Sequence, residues 1–163
     1  EYIPVINDSV DCIVSNLALQ WCQNLDSVFS GFWQALKNEG TLSFSTFGPD
    51  TLKELKSAWA KVDDYQHVNT FYSAAELTGF LQHAGFKNIK VESKMYQSKY
   101  LTVIELMREL KGIGAHNVLL GRNKKITSKA AMQKMISMYE NNSGRDGISA
   151  SYEIIFVTAS VMK

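Results

Sequence analysis

The sequence predicts an α/β fold, because strand-type and helix-type apolar periods alternate along it. A strand, an amphipathic helix and a second strand come first, in the order of a parallel crossover unit. A helix pair and a third strand follow, then two more helices and a final strand, and the late strands suit an antiparallel pair at the sheet edge. With 163 residues, 45% of them hydrophobic, the chain has the length and the apolar content of one domain with a real core.

Cys12-Ile13-Val14-Ser15 is a short apolar run introduced by Asp8-Ser9-Val10-Asp11, the pattern of a strand buried on both faces. From Asp26 to Lys37 the residues Val28, Phe29, Phe32, Trp33 and Leu36 recur at helical spacing, and Asn38-Glu39-Gly40 supplies a stop. Thr41 to Phe47 alternates as a strand and ends at Gly48-Pro49. Pro49 suits the first position of a new helix, where its missing N–H costs nothing, and Leu52, Leu55 and Val62 carry that helix to Asp63-Asp64.

Ser73-Ala74-Ala75-Glu76 is a capping box, and Leu77, Phe80, Leu81 and Ala84 lead from it to Gly85. Phe86 to about Tyr96 reads as a strand with Ile89, Val91, Ser93 and Met95 on one face and Lys90, Glu92 and Lys94 on a wet one. Thr102 to Glu105 is a second capping box before the stripe Val103, Leu106, Met107 and Leu110, which Gly112 and Gly114 break. Thr127 is placed to cap a helix carrying Met132, Met135, Ile136 and Tyr139, ended by Asn141 to Gly144, and its methionines read as core filler. Ile148 to Met162 is a long β-pattern.

Composition excludes several classes of function. Seventeen basic against 16 acidic residues leave a net charge of +1, so no global field favours nucleic acid or an anionic membrane, and any charged docking surface must be local. No run approaches the ~18 apolar residues of a membrane span, and no signal pattern is visible, so a cytoplasmic protein is expected. Cys12 and Cys22 lack metal or redox spacing and read as buried free thiols. The chain begins without Met and reaches its first strand within about ten residues, which reads as a truncated beginning, although a processed chain has the same look.

Specific segments resemble a known family. Asp11 to Trp21 is similar to the fourth strand and following loop of class I methyltransferases, with a Rossmann-like sheet. Phe44-Ser45-Thr46-Phe47-Gly48-Pro49-Asp50-Thr51-Leu52, His67-Val68-Asn69, Leu106 to Asn117, Gly121-Arg122 and Ser151-Tyr152-Glu153 resemble the malonyl-acyl carrier protein O-methyltransferases of biotin synthesis. The resemblance implies the last four strands of that sheet, the final one antiparallel, within a single domain over 1–163 in which residues 97–147 form a helical insertion toward the substrate. It also implies S-adenosylmethionine as cofactor and, as partner, an acyl carrier protein whose malonyl carboxylate is methylated.

The family's glycine-rich cofactor loop and its acidic ribose partner are not found in this chain. Gly112-Ile113-Gly114 follows a helix rather than joining strand to helix, so it is no nucleotide loop, and the chain alone is expected to bind cofactor weakly or not at all.

By the resemblance, Asn16 and Leu17 line the methionine side of the cofactor, at the carboxyl end of a strand where doubly wound sheets bind ligands, against the plainer reading of a simple strand-ending turn. Trp21 walls the methyl-transfer pocket or belongs to the core. An ionised carboxylate attacking a sulfonium methyl needs no general base, only alignment and loss of water, so a cationic or hydrogen-bonding clamp is expected. Arg108, Lys111, His116 and Asn117 are its candidates, against the plainer reading of a solvated basic flank with a C-cap, and His67 reaches the pocket or lies on the surface. Arg122, Lys124, Lys125 and Lys129 form a local basic cluster suited to an acidic carrier protein, or an ordinary solvated loop. With no preceding strand to pair it, Cys12 to Asn16 is expected to be an exposed apolar edge through which two copies associate, or which another element covers. The competing class is a non-catalytic remnant or a carrier-binding module.

Overall fold

A computed structural model describes residues 3–113, 127–141 and 147–163. Its elements are strand β1 (Val10–Asn16), a 3-10 turn (Leu19–Trp21), helix α1 (Leu25–Ala35), strand β2 (Leu36–Phe47), helices α2 (Lys53–Trp59) and α3 (Ala74–Ala84), strand β3 (Lys87–Tyr100), helices α4 (Val103–Gly112) and α5 (Lys129–Glu140), and strand β4 (Ile148–Ser160). The order is the one the apolar periods predict. The strands form one sheet in the order β1-β2-β4-β3, with β1 parallel and β4 antiparallel to β2. The final strand is therefore antiparallel, as expected, but it lies inside the sheet and leaves β3 as the edge.

The chain divides into two compact units, one of residues 1–49, 71–94 and 153–163 and one of 50–70 and 95–152. In the first, cross-strand pairing sets Ile13 beside Leu42, Leu42 beside Ala159 and Phe44 beside Val157, so these side chains share one face of the sheet. Phe29 and Val28 of α1 and Leu77 and Leu81 of α3 pack with that face into one buried cluster. In the second, Leu55 and Trp59 of α2, Leu106 of α4, Met135 and Tyr139 of α5, and Ile148 and Ala150 of β4 form a separate buried cluster. The methionines of α5 are core filler, as read.

Helix starts are the most local signals, and two hold. The Glu76 N–H donates to Ser73 Oγ at 3.3 Å while the Ser73 N–H donates to Glu76 Oε2 at 2.7 Å, a complete capping box, and Gly85 closes α3 with φ 99°. At α4, Thr102 accepts from the Glu105 N–H, but Glu105 takes the Leu101 N–H at 2.9 Å instead of that of Thr102, so that box is open by one residue. Ser128, not Thr127, caps α5 by accepting from the Ala131 N–H at 3.1 Å.

Elsewhere long-range partners correct the sequence reading. β1 is not buried on both faces: it is an edge strand whose second face is open, with Val14 74% exposed. Cys12 shares that face and is exposed, and Cys22 is half-buried, so neither thiol is the buried core residue expected. α1 stops at Ala35 rather than Lys37, because Leu36 already pairs with Val10 as strand. Residues 37–40 bulge before the register resumes at Thr41, with Glu39 left-handed (φ 63°) and no room for a Cβ at Gly40, which would meet Lys37 O at 2.8 Å. Pro49 lies in a turn and α2 begins only at Lys53, because the Leu52 N–H is drawn to Ser151 O at 2.6 Å and Leu52 adopts φ 55°.

Ser73→Ala removes one half of the complete box and is expected to cost about 1 kcal/mol, read as a lower urea midpoint at unchanged slope. Leu81→Ala, at a side chain with no exposed surface, is expected to cost about 2–5 kcal/mol in the same measurement.

Candidate functional site

β1 and β2 run parallel and side by side, so their carboxyl ends open together, which is where open α/β sheets take ligands. Asn16 ends β1 and faces Ser45 across the ladder. The Ser45 hydroxyl donates to Asn16 Oδ1 at 2.5 Å, and the Leu17 N–H is directed at Ser45 O (3.0 Å) and Oγ (3.2 Å). Leu17 is left-handed (φ 47°), and the Gln20 side-chain amide donates to its carbonyl oxygen. Backbone in that region costs of order 1–3 kcal/mol, so these bonds fix a turn that would otherwise relax. Trp21, on the following 3-10 turn, is 46% exposed and stands outside the core.

In the second unit, His67 is partly buried. Its Nε2 lies 2.7 Å from Asp63 Oδ1, its ring stacks on Trp59 with centroids 3.6 Å apart and planes at 8°, and its side chain is 12% exposed. Asp63 also accepts the Tyr65 N–H at 3.0 Å. Trp59, Asp63 and His67, with Lys56, line a cavity of about 350 Å³. Arg108 and Lys111 are exposed on α4, and Lys129 is exposed in the first turn of α5. His116, Asn117, Arg122, Lys124 and Lys125 lie outside the described residues. No described helix is long and apolar enough to cross a membrane.

Residues 3–91 match the family model described as "Methyltransferase domain". The chain belongs to this methyltransferase family. It is 40% identical over 156 residues to the malonyl-[acyl-carrier protein] O-methyltransferase of Nitrosospira multiformis, covering 96% of this chain and 51% of that protein. It is 37% identical over 164 residues to the enzyme of the same name from Methylococcus capsulatus, covering 100% of this chain and 59% of that protein. The chain thus spans about half the length of the curated relatives it matches. The solved structure of the YcgJ protein from Bacillus subtilis superposes with a TM-score of 0.63 at 11% identity, covering 99% of this chain and 68% of that one, a likeness of fold.

Within this methyltransferase domain, the sequence points to Asn16 and Leu17 as candidates but not to the groups that fix their turn. Ser45 and Gln20 carry a legible signal only in part: Ser45 is a polar residue 5% exposed in the middle of an apolar strand, and its burial appears only once β2 is inside a sheet. The motif Ser151-Tyr152-Glu153 also resolves into separate jobs. Ser151 is fully buried and gives both its N–H (3.0 Å) and its hydroxyl (2.5 Å) to the Glu54 carboxylate. Glu153 accepts from Ser93 Oγ at 2.7 Å and covers Gly48, where any Cβ would collide with it.

Tyr152 stands 3.4 Å from the Tyr100 hydroxyl, which donates to Glu109 at 3.1 Å, and Tyr139 donates to Ser149 O at 2.9 Å. Burial pushes both Tyr139 and Tyr152 well above the ordinary tyrosine range, helped by the Glu54 charge at Tyr139 and by the Tyr100 hydrogen bond at Tyr152. The folded state therefore favours the neutral phenols. Their stabilisation is complete below the unfolded tyrosine value near 10 and is lost as pH rises above it. Melting temperature is expected to fall steeply above pH ~10, and Tyr139→Phe with Tyr152→Phe should flatten that slope in a pH series by differential scanning fluorimetry.

Proposed function

We propose that this chain is the C-terminal part of a cytoplasmic, S-adenosylmethionine-dependent O-methyltransferase that esterifies the free carboxylate of malonyl-acyl carrier protein in biotin biosynthesis. The observation that carries this reading is 40% identity, along 96% of the chain, to an enzyme of that name. The sheet order β1-β2-β4-β3 with an antiparallel β4 supports it.

The residues present fit one side of the cofactor and not all of it. Asn16 and the left-handed Leu17 offer a fixed rim at the carboxyl end of β1, with Trp21 as an aromatic wall. Among the described residues no glycine cradle joins strand to helix: Gly48 packs under Glu153, and Gly112 ends α4. When bound, S-adenosylmethionine supplies the electrophilic methyl group. Because the ionised carboxylate is already a nucleophile, the chain's own part is to orient it and to exclude water. In this reading His67, braced by Asp63 and Trp59, shapes the cavity beside α2, while the clamp candidates His116 and Asn117 lie outside the described residues.

Titration calorimetry with S-adenosylmethionine should detect no binding to this chain alone, whereas the full-length protein should methylate malonyl-acyl carrier protein in a radiolabelled methyl-transfer assay. No transfer by the full-length protein would refute the reading. The exposed β1 edge is expected to pair two copies of the isolated chain, giving a dimer in analytical ultracentrifugation that Val14→Lys returns to monomer.

A further inference from the structure

We propose that the cavity beside α2 holds the neutral, amide-bearing arm of the substrate thioester, with His67 accepting a hydrogen bond from an arm N–H, an inference that rests on the function proposed above. Among the described residues the cavity is walled by positions 56–70 alone, so the site belongs to the second unit. Its volume of about 350 Å³ is at the small end of the ~300–1,000 Å³ of ligand pockets, room for a slender chain. Trp59 and Val68 give it apolar wall. Its charged side chains are Lys56 against Asp63 and Asp64, one positive group and two negative. A wall with that balance does not collect anions, so the malonyl carboxylate is not the part of the substrate it selects.

The direction of the His67 hydrogen bond points the same way. A carboxylate oxygen accepts, so His67 Nε2, 2.7 Å from Asp63 Oδ1, carries a proton and donates it. In the neutral ring Nδ1 is then a lone-pair acceptor. Stacking on Trp59, with centroids 3.6 Å apart and planes at 8°, fixes the plane in which that lone pair lies. Among the described residues Nδ1 has no hydrogen-bond partner, and the side-chain nitrogen that is both sealed and unpartnered is Trp33 Nε1, so Nδ1 is within reach of a ligand. An acceptor pairs with an N–H and opposes a carboxylate oxygen, because two facing lone pairs leave both groups unsatisfied. The pantetheine arm of a carrier thioester is uncharged between its phosphate and its sulfur and carries secondary amides. It therefore offers N–H donors to the acceptor-rich wall and methylenes to Trp59 and Val68, whereas the malonyl carboxylate offers acceptors only.

The test uses the full-length protein. Its preference for malonyl-pantetheine over the amide-free S-ethyl malonyl thioester, taken as a ratio of kcat/KM values, should fall about fivefold in His67→Phe, which keeps a ring on Trp59 and removes the acceptor. An unchanged preference overturns the proposal, and a loss shared equally by both thioesters assigns His67 to the carboxylate or to the fold instead. Imidazole nitrogen NMR gives a readout that needs no turnover and no variant beyond the one that identifies the His67 resonances. Pantetheine titrated into the unaltered protein should shift the Nδ1 resonance while Nε2 keeps its proton, and malonate at the same concentration should leave Nδ1 in place. An Nδ1 resonance that ignores pantetheine, or that answers malonate, sinks the arm site. A protein that methylates neither thioester refutes the function proposed above and leaves the pantetheine titration to decide the cavity's ligand by itself.

Discussion

Strand β4 enters the sheet between β2 and β3, antiparallel to β2, and the other strands depend on its being there. Without it β2 would hold only its parallel partner β1, and β3 would have no partner in the sheet order. A two-stranded pairing is marginal in water, so the last 16 residues decide whether the earlier strands persist. β4 also aligns Ile155, Val157 and Ala159 with Leu42 and Phe44 under α1 and α3. Its first residues do a second job, since Ile148 and Ala150 are buried in the other cluster and Ser151 engages Glu54. One strand therefore contributes to both hydrophobic cores.

How much of this was legible in the sequence follows the range of the interactions involved. The Ser73–Glu76 box and the Gly85 stop need only residues a few positions apart, and both are present as read. The order of elements is equally local, because apolar period is written along the chain. What the sequence misplaced are positions where a distant partner competes. Leu36 continues the helical spacing of α1, yet pairing with Val10 claims it as strand. Pro49 is a good first residue for a helix, but the Leu52 N–H is taken by Ser151, 99 positions further along, and the helix starts later. The apolar run Cys12 to Ser15 has a buried-strand composition, and only its edge position shows that one face is open.

The candidate site divides in the same way. Asn16 and Leu17 could be placed at the end of β1 from sequence, because the end of a strand is a local landmark and chain order in an α/β sheet says which end takes ligands. Ser45 and Gln20 were not, since their role exists only when β1 and β2 lie side by side. The sequence marked His67 as a candidate but left its place open between pocket and surface, because its stacking on Trp59 depends on the path of residues 60–66. The tyrosine group of Tyr100, Tyr139 and Tyr152 is drawn from β3, α5 and β4, and nothing in their spacing announces it.

Two leucines in left-handed backbone mark places where a glycine would have been easier. Leu17 follows β1 and Leu52 follows β2, with φ 47° and 55°. Each has its N–H held by a residue far along the chain: Leu17 by Ser45 and Leu52 by Ser151. A non-glycine residue there costs of order 1–3 kcal/mol, and one hydrogen bond contributes about 1. For Leu52 the side chain supplies the difference, because it is 8% exposed and burying a leucine contributes roughly 1.5–3 kcal/mol. Leu17 is only half-buried, so its side chain offsets less and the Ser45 and Gln20 contacts must carry more. A strained turn held from outside at the carboxyl end of a strand is stiff where a glycine turn would be pliable. Under the function proposed above, such stiffness at Leu17 suits the rim of a methyl-transfer site, since a reacting methyl group must be aligned to within a fraction of its travel.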